Sequence, residues 1–195
     1  MTPRRDEKDD IIYRASLKLF AHYGYRKTTI DDIAREVGMT RSNLYFYVSD
    51  KRDLYEKTVS RAFLEWQSDV AKAVEREKDP VGKFRVMALR SIEYLEHHEE
   101  LRSIFVNDPG IFSLSPSEDR FYGINLGAIR LIEDILRDGI DQGVFHDVDI
   151  EHTSQLFFSI YVMFLIKTYV KSEGISAMRM YKEGLEIILR GLSRH

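Results

Sequence analysis

Between Thr40 and Val48 the chain runs Thr-Arg-Ser-Asn-Leu-Tyr-Phe-Tyr-Val, and Arg41, Ser42, Asn43, Tyr45 and Tyr47 all carry groups that hydrogen-bond. Such groups are costly to bury unpaired, so the stretch predicts a polar face turned outward. The planar fork of an arginine matches the O6 and N7 acceptors of guanine, and an asparagine amide matches the N6 and N7 edge of adenine. Hydroxyls and ammonium groups suit phosphate oxygens, which fix register without reading sequence. The chemistry predicted is therefore the reading of duplex DNA. Arg41 is expected on guanine and Asn43 on adenine, with Ser42 beside them. Thr29, Thr40, Tyr45, Tyr47 and Lys51 are expected to hold phosphates.

Three helix-start signals surround these residues. Thr29 precedes Asp32 by three positions, Asp50 precedes Asp53 by three, and Thr40 offers the side-chain oxygen of an N-cap. Ile30, Ile33, Ala34 and Val37 recur at helical spacing, which leaves Asp31, Arg35 and Glu36 on the wet face. Gly38 then permits the positive φ of a tight turn, and Ala34 is small enough for a second helix to cross close by. Leu44 and Val48 are expected to anchor that second helix. A small residue, a glycine and an aliphatic residue at positions 34, 38 and 44 give helix-turn-helix spacing. Lys51 and Arg52 fall in the first turn of the next helix, where the macrodipole disfavours each cation by about 0.3–1 kcal/mol. A docked phosphate would turn that placement to advantage. A solvated charge pair is the plain alternative.

At this point the residues resemble a known family. The run TTIDDIAREVGMTRSNLYFYVSDKRDLY, preceded by an amphipathic helix ending in FAHYGYRKTT, is similar to the DNA-binding head of TetR-family transcriptional regulators. The likeness is closest from about Ile11 to Tyr55, and Val48-Ser49 departs from the Phe-Gly pair of many members. The resemblance implies an all-α fold. An N-terminal three-helix helix-turn-helix DNA-binding domain occupies residues 1–50, and a C-terminal helical effector-binding and dimerisation domain occupies 51–195, with residues 51–78 as the linking helix. It also implies a ligand-responsive repressor, released from its operator by a small-molecule effector.

The whole chain agrees with a soluble globular protein. It has 195 residues, 44% hydrophobic and 31% charged, with four prolines and eleven glycines. The absence of cysteine excludes disulfides, thiol nucleophiles and cysteine zinc sites. A net charge of −3 shows no overall basic footprint, so positive charge must gather locally, at Arg41, Lys51, Arg26, Lys27 and an arm carrying Arg4 and Arg5. MTPRRDEKDD lacks the apolar core of a signal peptide, and a cytoplasmic location is expected. No glycine-rich phosphate loop, nucleophile elbow or metal-ligand set is present, so neither catalytic residues nor a metal or other cofactor is expected. His97-His98 with Glu99-Glu100 is the one tempting cluster, but consecutive histidines face different sides of a helix.

The remaining elements are helical by spacing. Met1–Lys8 reads as a frayed arm, followed by a first helix with Ile12, Ala15, Leu19, Phe20 and Tyr23 on one face and Gly24 as its stop. The long helix from Lys51 towards Lys78 ends before Asp79-Pro80, where another begins. Later helices are expected to about His98, over Glu99–Val106, from about Ser117 to Gln142, through Leu156–Val170, and over Ile175–Arg194. Asn107–Ser117 is a turn-rich loop whose Ile111, Phe112 and Leu114 are candidates to lid a cavity. Phe105, Phe121, Tyr122, Phe158 and Tyr161, with the polar Asn125 and Arg130, are the candidate ligand contacts, and they suit a hydrophobic or amphipathic effector of fatty acyl or aromatic type. LFFSIYVMFLIKTYV is apolar on all sides yet shorter than a membrane span and interrupted by Lys167, which excludes a membrane partner. It predicts a four-helix homodimer interface through Phe157, Met163, Phe164, Tyr181, Leu185, Ile188 and Leu192. A dimer implies an inverted-repeat operator. The rival readings are an enzyme, and a helical module that binds protein, or DNA without specificity, and has no effector.

Overall fold

The computed structural model describes residues 5–112 and 118–194. Arg4 of the expected arm and Leu114 of the expected lid lie outside the described residues. Helices account for most of the described backbone. They are α1 (Arg5–Lys27), α2 (Ile30–Glu36), α3 (Arg41–Leu44), α4 (Lys51–Val74), α5 (Pro80–Glu96), α6 (Glu99–Asn107), α7 (Tyr122–Asp141), α8 (Ile150–Leu165) and α9 (Gly174–Leu192). The only strand-like pairing among the described residues is one antiparallel bridge between Phe145 and Ser193. The all-α class holds.

The chain forms two compact units, one of Met1–Leu64 with His98–Asp108 and one of Glu65–His97 with Pro109–His195. In the first unit α1 packs on α2 and α6, and α2 on α3. Ile12, Phe20, Ile33, Leu44, Leu54 and Val59 are fully buried there. The Phe20 ring meets Tyr55 edge-on at 5.0 Å, and the Tyr55 hydroxyl donates to Asp108 Oδ2 at 2.8 Å. Gly24 interrupts α1 with φ 78°, as the sequence predicts for a stop, and a short turn through Lys27 follows it. The expected frayed arm is helical from Arg5 onward.

In the second unit α7 packs on α5 and α8, and α9 on α5 and α8. Asp79 caps α5 by accepting from Gly82 N at 2.8 Å, with Pro80 in the first turn. Asp149 caps α8 through His152 N at 2.9 Å. The helix expected from Ser117 starts only at Tyr122, because Asp119 accepts from Phe121 N and from Asn125 Nδ2, both at 2.8 Å, and so organises the entry. Gly139 leaves room for the buried Phe145 ring, which a Cβ there would overlap. Beyond Leu165 the helix widens into a π turn, Ile166–Val170.

The expectation that the apolar segment is too short to span a membrane does not hold. Ile150–Val170 runs continuously for 21 residues and contains an 18-residue window of mean hydropathy 1.2, enough by length and composition alone. The apolar run LFFSIYVMFLIKTYV leaves out the polar first turns of α8, which add to its length. Within its own unit the helix packs on α7 and α9, and Lys167 pairs with Glu173 at 2.9 Å.

Candidate nucleic-acid interface

The interface is built by caps. The Thr29 hydroxyl accepts from Asp32 N at 3.1 Å while the Asp32 carboxylate accepts from Thr29 N at 3.0 Å, a reciprocal box that fixes where α2 begins. Thr29 Oγ1 also donates to Asp32 Oδ2, and these contacts hold the Asp32 carboxyl below the usual range. Ile30, Ile33 and Ala34 turn inward. Gly38, at φ 68°, makes the turn, and Met39 N closes it on Ala34 O at 2.8 Å. Thr40 then caps α3 by accepting from Asn43 N at 3.2 Å.

α3 is a single α turn, prolonged through Tyr47 by the tighter bonds Phe46 N to Asn43 O and Tyr47 N to Leu44 O. Leu44 and Val48 are buried, which aims the rest of the element outward. Thr29, Thr40, Arg41, Ser42, Asn43 and Tyr45 are all exposed, and Tyr47 is half-buried. These side chains are open to solvent, as a DNA contact requires. Arg41 is ordered among them, donating to Asp31 Oδ2 and to the Tyr45 hydroxyl, each at 3.1 Å. Phe46, which the resemblance leaves open as a base contact alongside Ser42, Asn43 and Tyr47, is exposed as well. Its signal was available: an aromatic residue between Leu44 and Val48, yet off their spacing.

Lys51, expected on a phosphate, is held by backbone carbonyls. Its ammonium donates to Tyr25 O at 2.9 Å and Thr28 O at 3.1 Å, reaches Arg26 O at 3.5 Å, and lies 4.5 Å from the Tyr25 ring centre. A cation disfavoured at the start of its own helix thus serves the carbonyl end of α1, where positive charge is favoured. Those carbonyls are bared by the break at Gly24. Sequence spacing within α4 alone could not show a partner 23 residues upstream.

The expected ligand contacts fall in both units and differ in exposure. Phe105 is fully buried in the first unit beside Phe63. In the second unit Phe121 is buried, Tyr122 and Arg130 are exposed, Phe158 is half-buried, and the Asn125 amide is engaged by Asp119. Tyr161 stands out. Its ring lies about 6 Å from those of Trp66 and Tyr181, and its hydroxyl is shielded from solvent without a partner at hydrogen-bonding geometry. Burial raises that phenol well above its ordinary pKa.

The expected dimer residues also separate. Phe164, Tyr181, Leu185 and Leu192 are buried inside their own unit, with Tyr181 donating to Ala88 O at 3.2 Å. Their side chains are committed to the core of that unit. Phe157 and Ile188 are half-buried, and Met163 is exposed together with Leu156 on α8 and Met180 and Ile187 on α9.

Residues 12–58 match the family of bacterial regulatory proteins described as the tetR family. Along nearly the whole chain the protein is similar to the HTH-type transcriptional repressor KstR2 of Mycolicibacterium smegmatis, with 25% identity over 193 residues covering 98% of this chain and 91% of that one. Over 56 residues it is 41% identical to the IcaR regulator of the biofilm operon icaADBC in Staphylococcus aureus, covering 29% and 30% of the two chains. Its fold superposes on the transcriptional regulator FadR from Bacillus subtilis, solved in complex with stearoyl-CoA, with a TM-score of 0.77 at 16% identity over 93% of this chain and 98% of that one. The motif at positions 34, 38 and 44, the capped reading helix and these likenesses converge on the tetR family of regulatory proteins for residues 12–58.

Proposed function

We propose that the protein is a ligand-responsive transcriptional repressor that binds an inverted-repeat operator as a homodimer and leaves it when a hydrophobic or amphipathic effector binds. The observation that carries this reading is the exposure of Arg41, Ser42, Asn43 and Tyr45 on and just after α3, while Leu44 and Val48 fix the element from beneath. Arg41 suits guanine and Asn43 suits adenine. Thr29, Thr40, Tyr45 and Tyr47 suit phosphates. An operator as target calls for a cytoplasmic protein.

One such surface reads only a few base pairs, so useful specificity needs two related by a twofold axis. Leu156 and Met163 are seven residues apart on α8, as are Met180 and Ile187 on α9, so each pair shares a helix face. All four are exposed, and together they suit a four-helix contact with a second copy. That contact also accounts for the apolar face of α8 without a membrane. For the effector, the aromatic group around Tyr161 favours an apolar body bearing an oxygen that the phenol can serve. The stearoyl-CoA carried by FadR and the ketosteroid regulation named for KstR2 of Mycobacterium tuberculosis are of that broad chemistry.

Operator selection from random duplexes at two salt concentrations tests the reading, followed by competition with fatty acyl thioesters, steroids and simple aromatics. An inverted repeat is expected, released by one of these classes. Binding without sequence enrichment, abolished uniformly by salt, would leave only non-specific attraction to phosphate.

A further inference from the structure

We propose that Phe46 reads the 5-methyl group of a thymine in each operator half-site, an inference that rests on the DNA-reading role of the first unit. Phe46 is 78% exposed, the most exposed aromatic among the large hydrophobic residues described, while Leu44 and Val48 on either side are 0% and 3% exposed. The ring therefore adds almost nothing to the core of its own unit. Its backbone N–H bonds to Asn43 O at 3.2 Å, so the helical turn carries through it. Helical spacing then sets the ring on the face of Ser42 and Asn43, four and three positions earlier. Arg41 and Tyr45 are joined to each other on the neighbouring face.

A phenyl ring has no donor or acceptor, which narrows what it can meet on DNA. Phosphate oxygens would lose hydration against it with nothing in exchange. Among base edges of the major groove, the thymine methyl is the apolar group on offer. Aromatic wedges that unstack bases work from the minor groove, whereas the second helix of a helix-turn-helix enters the major groove. Beside Asn43, whose amide suits adenine, Phe46 thus biases the half-site towards A·T pairs through both partners, one by hydrogen bonds and one by contact.

The test uses the full-length protein and the operator it selects. Each thymine is replaced in turn by deoxyuridine in both half-sites, which deletes the methyl and preserves base pairing. Wild type should lose about fourfold affinity per half-site at one symmetric position, the worth of one buried methyl group. Phe46→Ala should bind the thymine and uracil operators equally and melt at the wild-type temperature. A wild type that selects an operator yet tolerates uracil everywhere overturns the inference and leaves DNA reading intact. The inference also fails if Phe46→Ala keeps the wild-type sensitivity to uracil, or if it weakens selected and random DNA alike, which would place the ring on the sugar-phosphate backbone. A wild type that selects no sequence removes the reading of the head, and the inference with it.

Discussion

Lys51 has three donors, and its neighbours supply carbonyl oxygens of Tyr25, Thr28 and Arg26 for them. Lys51→Ala should therefore destabilise the first unit by about 1–3 kcal/mol, because charged hydrogen bonds are lost and half-buried carbonyls are left unmet. Melting should fall several degrees while the salt dependence of DNA binding keeps its slope. A drop in that slope of about one with unchanged melting would return Lys51 to phosphate. Arg41 presents the opposite case. Asp31 and Tyr45 hold it on the surface but leave part of its fork free, so little order remains to be gained on binding. Arg41→Ala should relax discrimination at one operator position by about 1–3 kcal/mol. Equal losses on selected and random DNA would show that it only attracts phosphate.

At the scale of the element, the reading helix exists because its boundaries are fixed. Four residues of α helix are far too few to be stable alone, so the Thr40 cap, the Gly38 turn and the buried Leu44 must supply what propagation cannot. The Thr29 and Asp32 box anchors the helix before it and makes that anchorage sensitive to acid. The hydroxyl and backbone of Thr29 hold the Asp32 carboxyl below its ordinary value of 3.8, so the folded pKa is depressed relative to the unfolded one. Its contribution is present above the ordinary carboxylate value and is lost as pH falls through the depressed one. Thr29→Ala should make acid unfolding of the head insensitive to Asp32→Asn, whereas in wild type the stability that Asp32→Asn removes at pH 7 should shrink progressively as pH falls below 3.8. An effect of Asp32→Asn that does not change with pH would sink this account. These caps were legible because each involves residues three apart. The Lys51 contact, the burial of Phe105 against Phe63 and the late start of α7 at Tyr122 were not, since each depends on which surfaces meet or on a side chain that competes with the helix for the same amides. The apolar faces of α8 and α9 were legible as apolar, but spacing alone did not say which half of each face the unit keeps for itself.

For the molecule as a whole, that division decides how a dimer can be broken without breaking the fold. Ile187 is 69% exposed and lies two residues from Leu185, which is 5% exposed and packed within the second unit. A charge at Leu185 must be buried or must expel its surroundings, and either route costs several kcal/mol. Leu185→Glu should therefore lower melting sharply and report on the fold. A charge at Ile187 is already solvated in the single chain and becomes a liability only where a second copy would cover it. Ile187→Glu should give a monomer with wild-type helix content and with melting extrapolated to the monomer unchanged. Its operator affinity should collapse towards that of one half-site, because the second reading surface no longer arrives at the effective concentration that dimerisation provides. The salt slope separates this from a damaged head: one head neutralises about half the phosphates, so the slope should halve, while a dimer with weakened heads would keep its site size. Sedimentation of Ile187→Glu as a stable dimer would move the interface away from α8 and α9 and free their exposed apolar residues for another partner.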